Sequence, residues 1–279
     1  MKIDEEITST NPLAVGDRVL VEVEDPVKRL GIIPEVLPRS NYVVRSSPHK
    51  RTQKHIVAAN MDMAMLVATA MEPKTSQGFI DRFLVTTEAY HVPAVLVFNK
   101  IDLLHPKATA YYQRLSDMYE AIGYSVLAVS AKNGEGIDDV RSVTRDKITL
   151  LSGHSGVGKS TLLNVLVPGL RLKTQSVSGW SGKGMHTTTF AEMIELPYGG
   201  RIIDTPGIRE LGIVDMGKTE LSHYFVEMTP YIVQCQFNNC LHYNEPGCAV
   251  KKAVSEGRID QDRYISYLTI LDSLQEPAW

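Results

Sequence analysis

Eight consecutive residues, Gly153-His154-Ser155-Gly156-Val157-Gly158-Lys159-Ser160, match a Gly-Xaa4-Gly-Lys-Ser pattern. Such a run grips phosphate: glycines let the backbone wrap closely with its N–H groups aimed inward, and a helix starting there adds partial positive charge. In this pattern Lys159 reaches the β- and γ-phosphates, Ser160 takes Mg²⁺, and Thr161 completes the stretch. His154 reads as a variable loop residue. An apolar strand before the run and an apolar helix after it set it apart from a chance Gly-rich turn.

Asp204-Thr205-Pro206-Gly207 follows a short apolar strand. Alone it is a common acidic turn. Downstream of a phosphate loop, Asp204 is expected to hold Mg²⁺ through water. Gly207 would offer its N–H to the γ-phosphate and lose that contact after hydrolysis. Thr187-Thr188-Thr189 lies between these two motifs, after the Gly- and Ser-rich stretch 178–184. One of the three threonines should complete the Mg²⁺ shell, and the residues do not say which.

Asn99-Lys100-Ile101-Asp102 sits just after a buried-strand pattern. The Asp102 carboxylate can accept from both N1–H and N2–H₂ of guanine, a donor pair adenine lacks. Asn99 would brace the loop and the Lys100 stem would cover the base. Ser130-Ala131-Lys132, one strand–helix unit later, matches a second guanine loop in which the Ala131 N–H meets O6. The motifs therefore run in permuted order: the base-reading loops precede the phosphate loop. The expected ligands are GTP and GDP with Mg²⁺.

The catalytic group is less obvious. Many GTPases place Gln after Asp-Xaa2-Gly to orient water, but Ile208 stands there. His186, beside the threonines, is the candidate for positioning water, with Lys159 as the charge stabiliser. The bland alternative for His186 is an exposed loop histidine. All three cysteines of the chain lie in Cys235-Xaa4-Cys240-Xaa-His242-Xaa5-Cys248. That is a four-ligand set for one structural Zn²⁺, with no open position for catalysis.

The elements that must position these residues fall into three parts. Residues 1–58 alternate in short strands (17–23, 31–36, 42–45) and suggest a small OB-like barrel. Residues 59–217 alternate strand and helix: strands at 65–70, 94–98, 125–129, 146–151 and 201–203, helices at 79–89, 109–122 and 160–167. This is an α/β domain with ligand sites at strand C-terminal ends. Residues 218–279 hold the cysteine cluster and a helix with Tyr264, Tyr267, Leu268, Leu271 and Leu274 on one face. The segment 39–55 contains Arg39, Arg45, Lys50, Arg51 and Lys54 with no acidic residue. It is a candidate phosphate-backbone footprint for RNA, or else a solvated loop.

Composition narrows the classes. Across 279 residues the net charge is −3, so any basic surface is local. The N-terminus is polar and acidic, without the apolar region of a signal peptide, and no run is long enough to cross a bilayer. Three clustered cysteines fit a reducing compartment better than a disulfide framework.

Together the permuted order, Gly153–Ser160, Lys183-Gly-Met-His-Thr-Thr-Thr189 and the Cys/His spacing resemble the bacterial small ribosomal subunit biogenesis GTPase A (RsgA, YjeQ/YloQ) family. Asn11-Pro-Leu-Ala-Val-Gly-Asp17 and Ala58-Ala-Asn-Met-Asp62 are similar to its N-terminal signatures. The resemblance implies an OB-fold, a permuted GTPase and a zinc domain. It also implies a cytoplasmic, monomeric enzyme without a membrane partner. Such an enzyme binds the 30S subunit and its 16S rRNA, with subunit-stimulated GTP hydrolysis late in maturation. It places His186 at the family's catalytic histidine. Only ten residues precede the signature at Asn11, which leaves room for a truncated barrel. A second reading, from a different class, is a nucleotide-gated RNA-binding module whose turnover is incidental.

Overall fold

The computed structural model describes residues 12–46, 54–170, 172, 191–205 and 216–274. Its strands are β1 (Val19–Asp25), β2 (Leu30–Val36), β3 (Tyr42–Ser46), β4 (Lys54–Ala59), β5 (Met63–Ala68), β6 (Ala94–Phe98), β7 (Ser125–Ala128), β8 (Ile148–Ser152), β9 (Glu192–Glu195) and β10 (Arg201–Asp204). The helices are α1 (Gln77–Ala89), α2 (Pro106–Ile122), α3 (Ile137–Thr144), α4 (Lys159–Leu166), α5 (Thr229–Ile232), α6 (Ala249–Ser255) and α7 (Gln261–Ser273).

A six-stranded sheet of order β7-β6-β5-β8-β10-β9 forms the centre. All neighbours are parallel except β9, which pairs antiparallel with β10 along one edge. From β5 the chain winds outward through β6 and β7, then returns to place β8 on the other side of β5. That reversal is the topological switch point at which open α/β sheets bind ligands. β5 reads Met-Ala-Met-Leu-Val-Ala and is buried at every position, as a central parallel strand covered on both faces must be. Its residues alternate between two apolar layers. Leu66 and Ala68 pack with Phe83, Leu84 and Tyr119 of α1 and α2. Met65 and Val67 pack with Val140, Leu162 and Leu163 of α3 and α4.

The helices around the site start and stop on local signals. Ser76 caps α1 by accepting from the Phe79 N–H. His105 caps α2 through Nδ1, Pro106 occupies its first turn, and Gly123 ends it with φ 110°. Asp260 caps α7 by accepting from the N–H groups of Asp262 and Arg263.

At the N-terminal side, β1–β2 and β3–β4 are two antiparallel ribbons, each a sheet of its own. Among the described residues they do not close into a barrel. β3 and β4 contribute Val43, Val44 and Ile56 to the core under α1 and α2. β1 and β2 instead leave Leu20, Val21, Val23, Leu30 and Ile32 exposed. The basic-footprint expectation needs correction at Arg39. Its guanidinium donates to both Asp17 oxygens, Nε to Oδ1 at 2.6 Å and Nη2 to Oδ2 at 2.7 Å, and so serves the fold. Residues 47–53 of that segment lie outside the described residues.

A third apolar cluster joins the C-terminal part to the sheet domain. Val85 of α1 packs with Leu221, Phe225, Met228, Tyr267, Ile270 and Leu271. No helix among the described residues is long and apolar enough to cross a membrane.

Candidate nucleotide site and metal centre

Four of the motifs emerge at the C-terminal ends of parallel strands: residues 99–102 after β6, 130–132 after β7, 153–158 after β8, and Thr205 after β10. Sheet order thus gathers residues from position 99 to position 205. Asn99 ties three loops together. Its Nδ2 donates to Val157 O at 2.9 Å, and its Oδ1 accepts from the Ala131 N–H at 3.0 Å. Asn99 is buried, so both bonds are made in a medium where an unpaired amide is costly.

The phosphate loop keeps its shape through glycines that no other residue could replace. Gly153 has φ 142°, and a Cβ there would sit 2.3 Å from Val67 O; at Gly158, φ 97°, a Cβ would lie 2.3 Å from Asn99 Nδ2. Val157 is fully buried and anchors the loop, whereas Ser155 and Gly156 are exposed at its mouth. α4 begins directly after Gly158 with no side chain capping it. Its first-turn N–H groups thus point at the position where phosphate would lie. Ser160 and Thr161, half-buried, begin that turn.

Lys159 Nζ donates to Gly153 O at 2.6 Å and to His154 O at 2.8 Å, holding the ammonium across the loop. Burial lowers its pKa, with Asp204 pulling the other way. Burial likewise pushes the Asp204 carboxyl up, with Lys159 opposing. Asp204 Oδ1 is buried and has no hydrogen-bond partner among the described residues. An acceptor left over beside a phosphate loop fits a water of a bound Mg²⁺, and a phosphate would give Lys159 the counter-charge that burial demands.

On the base side, Ser130 Oγ donates to Asp102 Oδ1 at 2.7 Å and accepts from the Asn133 N–H. The Asp102 carboxylate is thereby fixed while exposed toward solvent. Lys100 adopts φ 66° and donates to Glu72 O at 2.7 Å, which lays its stem along the loop. The Ala131 N–H, expected at the guanine O6, instead donates to Asn99 in this structure. Lys132 is exposed one residue further on. His186, Thr187, Thr188, Thr189 and Gly207 lie outside the described residues.

Cys235, Cys240, His242 and Cys248 converge, with their donor atoms all within 4.8 Å of one another. His242 Nδ1 lies 3.4 Å from Cys248 Sγ and 3.6 Å from Cys235 Sγ, and the two sulfurs are 4.0 Å apart. Metal bonds of about 2.3 Å to sulfur and about 2.0 Å to nitrogen give tetrahedral edges of roughly 3.5–3.8 Å. The set therefore fits one tetrahedral dication. Burial pushes the Cys240 thiol up to about 12 and raises Cys248. A dication supplies the charge that makes thiolates tolerable there. The surrounding turns are braced from outside. Tyr264 and Tyr267 of α7 donate to His242 O and Leu241 O, both at 2.6 Å. Glu245 accepts from the N–H groups of Leu241 and Tyr243.

Two features escaped the sequence reading. His154, a variable loop residue by its motif, stacks on Phe79 of α1 with ring centroids 3.7 Å apart. Arg263 and Asp81, both fully buried, pair at 2.7 Å between α7 and α1. A charged residue among the buried positions of a helix is the signal that could have found the second. Nothing in the sequence marks the first.

The family model described as RsgA GTPase matches residues 36–214. The small ribosomal subunit biogenesis GTPase RsgA of Bacteroides fragilis is 48% identical over 270 residues, covering 97% of this chain and 86% of the relative. Its counterpart in Flavobacterium psychrophilum is 49% identical over 273 residues, covering 97% and 83%. Among solved structures, YjeQ from Thermotoga maritima is similar with a TM-score of 0.79 at 35% identity, covering 95% of this chain and 86% of that one. YloQ, described as a circularly permuted GTPase, follows with 0.74 at 29%, covering 99% and 86%.

Proposed function

Because the chain belongs to the RsgA GTPase family, we propose that it binds the 30S ribosomal subunit and hydrolyses GTP, stimulated by the subunit, to assist late maturation. The observation that carries the nucleotide half of this reading is the Asn99 bridge, which binds the base-reading loops to the phosphate loop. A base read at Asp102 and phosphates held at 153–160 then belong to one ligand.

Within that reading the residues divide their tasks. Asp102, aimed by Ser130, selects guanine, and the Lys100 stem covers the base. The Ala131 N–H, which donates to Asn99 in this structure, is shared with O6 when guanine binds. Residues Gly153–Thr161 hold the phosphates, with Lys159 stabilising the charge that develops in the transition state. Ser160 and Asp204 hold Mg²⁺, which supplies neutralisation of the phosphate oxygens. One of Thr187–Thr189 completes its shell and Gly207 senses the γ-phosphate. His186 positions the attacking water. His186→Ala is expected to abolish turnover and leave nucleotide affinity nearly intact, and an unchanged kcat would remove it from the mechanism. The Cys235, Cys240, His242 and Cys248 set holds one structural Zn²⁺.

The domain reading is residues 1–58 as an OB-like element contacting 16S rRNA, 59–217 as the permuted GTPase, and 218–279 as the zinc-binding helical part. The chain acts as a cytoplasmic monomer. The test is co-sedimentation with 30S, 50S and 70S particles in GDP and in a non-hydrolysable GTP analogue, beside multiple-turnover GTPase assays. Selective 30S binding in the analogue state with accelerated turnover is expected. Binding without any acceleration would favour an RNA-binding module with incidental turnover.

A further inference from the structure

The phosphate loop is supported from three sides. Gly153 packs on the Val67 carbonyl of β5, and Val157 O accepts from Asn99. The third support comes from α1, where the Phe79 ring lies on His154 with planes 29° apart and centroids 3.7 Å apart. The first two belong to the sheet edge that carries the motifs. The third comes from a helix to which no motif assigns a role.

The position of α1 is set in part by the C-terminal residues. Asp81, two residues beyond Phe79, accepts from Arg263 Nη1 at 2.7 Å and from the Tyr119 hydroxyl at 2.5 Å. Arg263 also donates to Glu227, from Nε at 2.7 Å and from Nη2 at 3.0 Å. Its guanidinium lies 4.6 Å from the Phe225 ring centroid. Arg114 of α2 adds a bond to Asp262 at 2.8 Å. Beside the loop, a cavity of about 300 Å³ is lined by His154, Phe79 and Arg82 on one side and by Ile265, Ser266 and Thr269 of α7 on the other. P-loop, α1 and α7 therefore meet at one place.

We propose that Phe79 is a positioning residue for nucleotide binding, and that docking of α7 on α1 through Arg263 and Asp81 holds it in place. This rests on the nucleotide-site reading above. His154 O and Gly153 O are the two acceptors that hold Lys159 Nζ. A ring packed on His154 fixes the first of these carbonyls and so the aim of the ammonium. Loosening α7 shifts α1, and with it Phe79, His154 and Lys159 in turn.

The experiment is equilibrium binding of Mg²⁺-GDP and of a non-hydrolysable GTP analogue to the full chain. It covers wild type, Phe79→Ala, Phe79→Leu, Phe79→Tyr, Arg263→Gln and the Phe79→Ala/Arg263→Gln double variant, with steady-state turnover in parallel. Phe79→Ala is expected to weaken binding by about 3- to 10-fold, the scale of an aromatic pair. It should lower kcat/KM for GTP by at least the same factor, because Lys159 also stabilises the transition state. Phe79→Tyr restores affinity, Phe79→Leu does not, Arg263→Gln weakens binding, and the double variant is no weaker than the worse single one. Wild-type affinity in Phe79→Leu, or full additivity in the double variant, overturns the inference. Phe79→Leu keeps a large apolar side chain without the ring and decides the matter if Phe79→Ala fails to fold. A wild type that binds no guanine nucleotide sinks the site reading itself, whereas wild-type binding matched by Phe79→Leu sinks only this one.

Discussion

The nucleotide pocket and the Cys/His cluster follow opposite plans. The pocket draws on residues from 99 to 204, delivered by parallel strands clamped between two apolar layers. Its loops are tied by buried hydrogen bonds such as those of Asn99. The cluster draws on residues 235–248 alone, and its donors sit in turns without a strand to stiffen them. A site at the edge of a packed sheet is organised before its ligand arrives, and binding energy is not spent on ordering it. A site in turns is ordered by the ligand, so metal affinity becomes folding energy.

The largest effect tests that contrast. Removing the metal with a chelator, or replacing a ligand in Cys240→Ser, withdraws on the order of 10 kcal/mol of local folding energy. Hydrogen exchange across residues 235–248 is expected to lose its protection while β5, β6 and β8 keep theirs. Loss of protection throughout the sheet would erase the distinction. Next comes the pocket itself. Asp102→Asn replaces an acceptor of two charge-assisted bonds, each worth roughly 1.5–3 kcal/mol. GTP affinity should fall by about 10²- to 10⁴-fold with the melting temperature almost unmoved. If calorimetry found GTP bound within a few-fold of wild type, the base would be read elsewhere.

The seam between the two regions has an energetics of its own. Arg263 and Asp81 are fully buried, and Glu227 nearly so. Burial pushes the Asp81 carboxyl up even with Arg263 opposing it. Arg263→Met strands both acids and should cost about 3–5 kcal/mol in urea melts. Replacing Asp81 and Glu227 with Leu in the same chain should recover most of that, since a whole buried network often trades evenly for apolar packing. No recovery would mean that the charges specify the docked arrangement as well as filling it.

These expectations also mark how far the sequence alone could go. The β6 strand was legible to the residue, because an apolar run bounded by Pro93 and Asn99 has one reading. Motif spacing placed Asn99, Asp102, Ser130, Gly153 and Asp204 at strand ends, where the sheet order puts them. The Cys/His set was legible from spacing, since one short stretch holds every cysteine. α3 and α6 were missed: at 8 and 7 residues each is too short for its period to stand out. The sequence reading put Tyr267 and Leu271 on the apolar face of α7 and both are buried, but so is Arg263, a charge no hydropathy pattern assigns to a core. Arg39 was read as available to phosphate because its partner Asp17 lies 22 positions away. Pairings that depend on where two elements dock, such as Phe79 on His154, leave no periodic trace at all.

The smallest predicted effect concerns protons at the pocket. Burial raises the Asp204 carboxyl above its ordinary range, so in the nucleotide-free protein it holds a proton to a higher pH than an exposed aspartate. Its folded pKa lies above its unfolded one. The ionised form is therefore the destabilising one, and this cost appears as pH rises through the folded value. Mg²⁺ reverses the balance by favouring the carboxylate. Protons and Mg²⁺ then compete, and the Mg²⁺ half-saturation for nucleotide binding should rise as pH falls, by at most about tenfold per unit. In Asp204→Asn the carboxyl contribution vanishes, and only the titration of the nucleotide's own phosphate remains to be subtracted. The same Mg²⁺ curve in variant and wild type at every pH would place the metal on other oxygens. The pocket would then be, like the cluster, a site completed by something the sheet does not supply.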